Sequence, residues 1–182
     1  FTRLAKLVPP PHLDSSSARF GQSVAVDGDV MIAGLVDAES GTDAGAAYIL
    51  YRDQDGAGAW GPVARLTALD ASRSDHFGAS VAISGDTVIV GAYGNDEFRG
   101  SAHVFRRDHG GADAWGQVAK ITGSDTAAGD YFGADVTIDG DRAAVAGILY
   151  MRNKLEAEIT GVRPLERRLG EAHLPGMGRD LS

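Results

Sequence analysis

The chain contains no cysteine, so neither a disulfide nor a thiolate metal site is available to it. No apolar run approaches the ~20 residues that a membrane-spanning helix needs. The opening stretch, FTRLAKLVPPPH, lacks the apolar centre of a signal peptide. Cations are in deficit, with 17 Lys and Arg against 25 Asp and Glu and a formal net charge of −8. A field of that sign repels a phosphate backbone and argues against nucleic acid as a partner. The common catalytic signatures are missing too: there is no Gly-x-Ser-x-Gly elbow, no His-Glu-x-x-His pair and no phosphate-binding glycine loop.

What the chain has is glycine, 25 residues of it at regular intervals, and a sentence written three times. The best copy runs from Phe77 to Phe105. Phe20-Gly21, Phe77-Gly78 and Phe132-Gly133 open the copies, spaced 57 and 55 residues apart. Each is followed by a short alternating run (SVAV, SVAI, DVTI) and an X-Gly-Asp step. A second apolar run then follows: VMIAG, TVIVGA or RAAVAG. An X-Gly step between two apolar runs predicts a two-residue hairpin, here read as type I′ with positive φ at both central residues. The continuously apolar return runs suit strands buried on both faces.

Third runs, AAYILYR (46–52) and SAHVFRR (101–107), come after an acidic loop, and glycine loops at 53–59 and 108–114 lead to WGPVARLTA and WGQVAKITG. Pro62 marks that last run as a sheet edge, because proline cannot donate to a ladder. Phe1 to Leu7 fits the same register as Trp60 to Leu66 and Trp115 to Ile121, an aromatic four residues before Ala-Lys/Arg-Leu/Ile. Four antiparallel strands per repeat predict an all-β chain of propeller blades, two complete and one begun. The predicted divisions are 1–18, the outer strand of a preceding blade with a linker; 19–75 and 76–130, blades; 131–148, the first hairpin of another; and 149–182, a divergent tail. Residues 150–160 of that tail suit a short helix, cut off by Pro164. A shifted reading frame after about residue 148 would also account for the break in pattern.

These repeats resemble FG-GAP repeats, the blades of integrin-α-type propellers and of bacterial surface or secreted proteins. Phe20-Gly21, Phe77-Gly78, Phe132-Gly133 and the GAP-like Gly91-Ala92-Tyr93 carry the resemblance over roughly 1–148. It implies an extracellular or cell-surface scaffold without enzymatic activity, binding a protein or glycan ligand in adhesion. A propeller hydrolase or lyase, or a purely structural module, are the alternatives. The family usually binds calcium on an Asp-rich loop between the first two strands. A two-residue turn with one Asp after the glycine stands there instead, and it cannot supply the roughly six to eight oxygens Ca²⁺ takes. Two and a half blades cannot close a ring. Further blades, from missing sequence or from self-association, are expected to complete it.

In a propeller the loops joining strand two to three and strand four to the next blade share one face. That groups Asp37, Glu39 and Asp43 with Asp70 and Asp75, and Asn95, Asp96 and Glu97 with Asp125 and Asp130. These acids form the candidate ligand face. Asp37, Asp43 and Asp96 are the candidate ligands of a hard cation; the competing reading is solvated turn residues. His76, His103 and His109 fall in different places and read as surface residues. Trp60 and Trp115 read as packing between blades, Phe20, Phe77 and Phe132 as core anchors, and Arg52, Arg106 and Arg107 as solvent-facing.

Overall fold

The computed structural model describes residues 19–36 and 44–147, and the backbone of 170–173. Two four-stranded antiparallel sheets form in chain order. The first is β1 (Phe20–Asp27), β2 (Val30–Leu35), β3 (Ala46–Arg52) and β4 (Trp60–Leu66). The second repeats it with β5 (Phe77–Ser84), β6 (Thr87–Ala92), β7 (Ser101–Arg107) and β8 (Trp115–Ile121). A third sheet holds β9 (Asp135–Asp139), β10 (Arg142–Ala146) and β11 (Gly170–His173). Among the described residues one helical element occurs, α1 (Asn95–Phe98), in the loop between β6 and β7. The expected strand at 1–7 and helix at 150–160 lie outside the described residues.

Two expectations need correction. The hairpin turns leave Gly28, Gly85 and Gly140 at positive φ (59°, 54° and 57°), whereas the Asp that follows each is not at positive φ. That is the first-position glycine of a type II′ turn, not the doubly positive type I′. In addition, the third sheet is more than a hairpin: β11 pairs antiparallel with β10 from Arg142↔His173 to Val145↔Gly170. Gly-Glu-Ala-His has neither the apolar run nor the alternation of the other third strands, and only its backbone ladder places it there.

The outer strands behave as an edge with Pro62 should. Register shifts opposite Ile49/Leu50 and Val104/Phe105 leave Val63 and Val118 without a partner in the ladder, and both are exposed. By contrast β6 is buried along its whole length, as its continuous apolar run requires.

Between consecutive sheets lies the core. Ile32, Ile49 and Leu66 of the first sheet meet Val81, Val88, Val90 and Phe105 of the second. Ile89 and Val104 then meet Val136 and Val145 of the third, together with Phe132, which precedes it. Phe77 is 0% exposed at the first of these seams, edge-to-face with Phe105 and His103. Burying a side chain of this size is worth about 2–3 kcal/mol. Phe132 is buried in the corresponding place, while Phe20 is partly buried.

Each seam is crossed by backbone at contact distance. A Cβ on Gly78 would sit 2.2 Å from the Ala46 carbonyl oxygen, and one on Gly91 would sit 2.0 Å from that of Gly133. No side chain fits there, so the Phe-Gly of one blade locks against the glycine-bearing strand ends of its neighbour. Polar ties repeat across the seams as well. Val81 N–H donates to Ser23 Oγ at 2.9 Å and Gly85 N–H to Asp27 Oδ2 at 2.7 Å. In the next seam Gly140 N–H donates to Ser84 Oγ at 3.1 Å.

At one end of the first seam, Trp115 Nε1–H donates to Tyr51 Oη at 3.1 Å, and Tyr51 donates to Asp113 Oδ1 at 2.6 Å. The Arg107 guanidinium lies 5.4 Å from the Tyr51 ring centre and 5.3 Å from that of Trp115, and it pairs with Asp86 at 3.1 Å. Arg107 is therefore not simply solvent-facing as its strand-end position suggested; two aromatic rings hold it. Arg52 keeps a mostly exposed pair with Asp29. Trp115 packs at the blade seam, as its recurrence implied.

Candidate functional site on the loop face

The Arg–Asp pairs put the hairpin turns and the ends of the third strands at one end of the blades. At the other end are the loops joining strand two to three and strand four to the next blade. They form an open pocket of about 640 Å³ at the seam of the two complete blades. Asp70, Ser72, Arg73 and Asp75 line it from one loop, Gly94 to Glu97 with Arg99 and Gly100 from the other, and Lys120, Thr122, Gly123 and Thr126 complete the lining; Phe98 is not part of it. The acids therefore group differently from the expectation. Asp70 and Asp75, from the loop leaving the first complete blade, join Asn95, Asp96 and Glu97 of the second. Asp125 and Asp130 do not line the pocket, and Asp37, Glu39 and Asp43 lie outside the described residues.

Lys120 organises the floor. Its Nζ donates to Asp70 Oδ2 at 2.6 Å and to Asn95 Oδ1 at 2.8 Å. The hydrogen bond from Lys120 holds the Asp70 carboxyl below the usual carboxylate range. Asn95 is 7% exposed, and its Oδ1 is committed to Lys120, which leaves its NH₂ able to donate toward a ligand. Asp96 pairs with Arg99 at 3.3 Å, and Arg99 Nη1 also donates to the Thr126 carbonyl at 3.1 Å. Asp75 and Asp130 perform one structural task in successive repeats. Each carboxylate caps a turn, accepting from Ser72 N–H at 2.8 Å and from Ala127 N–H at 2.9 Å.

The pocket is consequently not an acidic bowl. Four carboxylates and three cations line it, since Arg73, Arg99 and Lys120 stand among Asp70, Asp75, Asp96 and Glu97. Among the described residues no group of three or more His, Asp or Glu side chains is arranged to hold a metal ion.

Next to pocket-lining residues in the chain stands a cluster of four aromatic rings. His76 stacks on Tyr93 with ring centres 4.9 Å apart and 22° between planes. Tyr93 lies 6.0 Å from Tyr131, Tyr131 lies 5.4 Å from Phe98, and Phe98 lies 6.4 Å from His76, which closes the cluster. Phe98 is 37% exposed. It ends a left-handed turn in which Asp96, Glu97 and Phe98 all have positive φ (50°, 57° and 62°). Hydrogen bonds from Phe98 N–H to Gly94 O and from Gly100 N–H to Asn95 O hold that turn closed.

The histidines do not converge. His76 belongs to the aromatic cluster, His109 to the opposite end, and His103 is 0% exposed in the blade seam, not at the surface as expected. The alternation of β7 puts His103 on the same side as Phe105, the side the neighbouring blade covers. Its Nε2 bonds Ser101 Oγ at 3.0 Å, and burial pulls its pKa down to about 4. Lys120, Arg73, Arg99 and the aromatic cluster were missed in the sequence reading. One signal for Lys120 was available, because Lys6, Arg65 and Lys120 occupy the same register of the outer strand.

Repeated four-stranded antiparallel sheets, docked by Phe-Gly crossings and carrying a pocket in their inter-blade loops, define a protein built of β-propeller blades. Among the described residues the sheets do not close into a ring. A family profile described as FG-GAP repeat matches residues 1–51, 60–105 and 115–154, and the chain belongs to this family. Its matches begin at Phe1, Trp60 and Trp115, the positions where the outer-strand register begins. A search of the curated proteins finds no match.

Proposed function

We propose that the chain is a non-enzymatic scaffold acting outside the cell or at its surface, and that its inter-blade loop face recognises a protein or glycan ligand. The observation that carries this reading is the seam pocket, an open concave site whose polar floor is fixed by Lys120, Asp70 and Asn95. A fixed polar floor under an open mouth suits recognition. It is poorly suited to acid–base chemistry, since a carboxylate held ionised by Lys120 is a weak proton donor near neutral pH. The buried His103, held neutral in the seam, is likewise withdrawn from any substrate. FG-GAP repeats are typical of extracellular proteins, which supports the location.

Probing arrays of extracellular proteins and glycans with the full chain tests the reading. Binding should be abolished by Thr122→Trp, which fills the pocket, and retained by Ala57→Trp at the opposite end. The reverse pattern, or no binding on either array, would contradict it.

A further inference from the structure

We infer that blade docking in this chain is one-sided. The β1 face receives a further blade whose second strand carries an isoleucine and ends in glycine, whereas the outer face of the third sheet receives none. This goes beyond the loop-face reading and does not depend on it. The glycine crossings supply the first argument. Gly91 pairs with Ser80 at the end of β6, and Gly34 holds the same place in β2. A Cβ on Gly34 or Gly91 would sit 2.0 Å from a carbonyl oxygen of the following blade, that of Gly78 or Gly133. On β10 that place belongs to Ala146, which pairs with Asp135. Its methyl fills the space a following Phe-Gly backbone must cross, and a close-packed crossing has no slack to yield.

Side chains on the same face agree. Ile32 and Ile89 are 0% exposed in the two seams, and Ala144 takes their place on β10. Arg142 replaces Val30 and Thr87, Thr137 replaces Ala25 and Ala82, and both are exposed. Covering Arg142 with a blade would strip a charge of its water. Ser80 Oγ donates to the Gly133 carbonyl at 2.8 Å, but the Asp135 carboxylate in that position has no proton to give. The β1 face, by contrast, keeps the docking pattern. Val24 and Val26 hold the places of Val81 and Ile83, and they are exposed where those are buried. Val24 and Gly28 also hold the places of Val81 and Gly85, whose N–H groups donate to Ser23 and Asp27 of the preceding blade. The fitting occupant is thus a blade of the glycine-ended kind, which the third sheet of a second copy is not. Head-to-tail contact between copies would otherwise repeat without limit.

Sedimentation equilibrium of the full chain over a wide concentration range tests the inference. The unmodified chain should not pass two copies at any concentration, because only β1 faces are left to meet. Arg142→Thr, Ala144→Ile and Ala146→Gly together give β10 the outward residues of β6. That triple variant should grow with concentration in steps of 18.9 kDa, and adding Val24→Asp with Val26→Asp should stop the growth. Ala146→Gly alone, which removes one methyl and adds nothing, should already raise the mean mass above that of the unmodified chain at equal concentration. Circular dichroism melting identifies which variants are folded. An unmodified chain that grows beyond two copies would overturn the inference. So would a folded variant, triple or single, that associates no further than the unmodified chain, or growth that the β1 substitutions leave intact.

Discussion

His103 shows how a blade seam turns a titratable side chain into a structural one. It is fully buried beside Phe77, and its folded pKa of about 4 lies below the ordinary value of 6.5. The native state thus binds fewer protons than the unfolded chain between those values. Its contribution is fully favourable above the unfolded pKa and is lost as pH falls from 6.5 toward 4. Urea unfolding across that window should show a loss on the order of 2–3 kcal/mol attributable to this residue. His103→Leu should flatten that part of the profile. An unchanged slope in the variant would mean that the imidazole is not held neutral in the fold. Asp70 titrates in a separate window, because its lowered carboxyl loses its contribution only as pH falls below the usual carboxylate range.

At the scale of elements, the seam between sheets is set by backbone contact as much as by side chains. Gly91→Ala would drive a methyl to 2.0 Å from the Gly133 oxygen and 2.2 Å from Ser80 Oγ, which cannot be relieved without parting the blades. A loss of about 3 kcal/mol or more is expected in chemical denaturation. Gly28→Ala meets nothing within 4 Å and should cost only the ~1 kcal/mol of a residue forced to positive φ. Equal costs at the two sites would contradict the close crossing. The strands were readable in the sequence because each core-facing run alternates or is continuously apolar, and because Gly28, Gly85 and Gly140 mark every hairpin. β11 was not readable, since Gly-Glu-Ala-His carries no such pattern and its place is set by pairing with Arg142–Val145 alone. The pocket was half readable. Asp70, Asp75, Asn95, Asp96 and Glu97 were identified by their loops, but not that two loops from different blades meet. Nor did the sequence show that Lys120 and Arg99 neutralise two of these acids.

At the scale of the molecule, the first blade exposes what the second conceals. Val24 and Val26 of β1 are 55% and 59% exposed, whereas their counterparts Val81 and Ile83 are 7% and 9% exposed against the preceding sheet. Such a face invites cover by a further blade, from a longer polypeptide or from a second copy. Light scattering of the chain should accordingly report a mass above 18.9 kDa that falls to the monomer value in the Val24→Asp, Val26→Asp double variant. A stable monomer of the unmodified chain would argue against association through this face.

The central claim is that recognition occurs where the loops of two blades meet, over the pocket that Lys120 underlies. Amide chemical-shift mapping during titration with a bound sugar or protein ligand tests this most directly. Perturbed amides should cluster in residues 70–75, 94–100 and 120–126. Perturbations confined to the glycine loops at 53–59 and 108–114, at the opposite end of the blades, would contradict it.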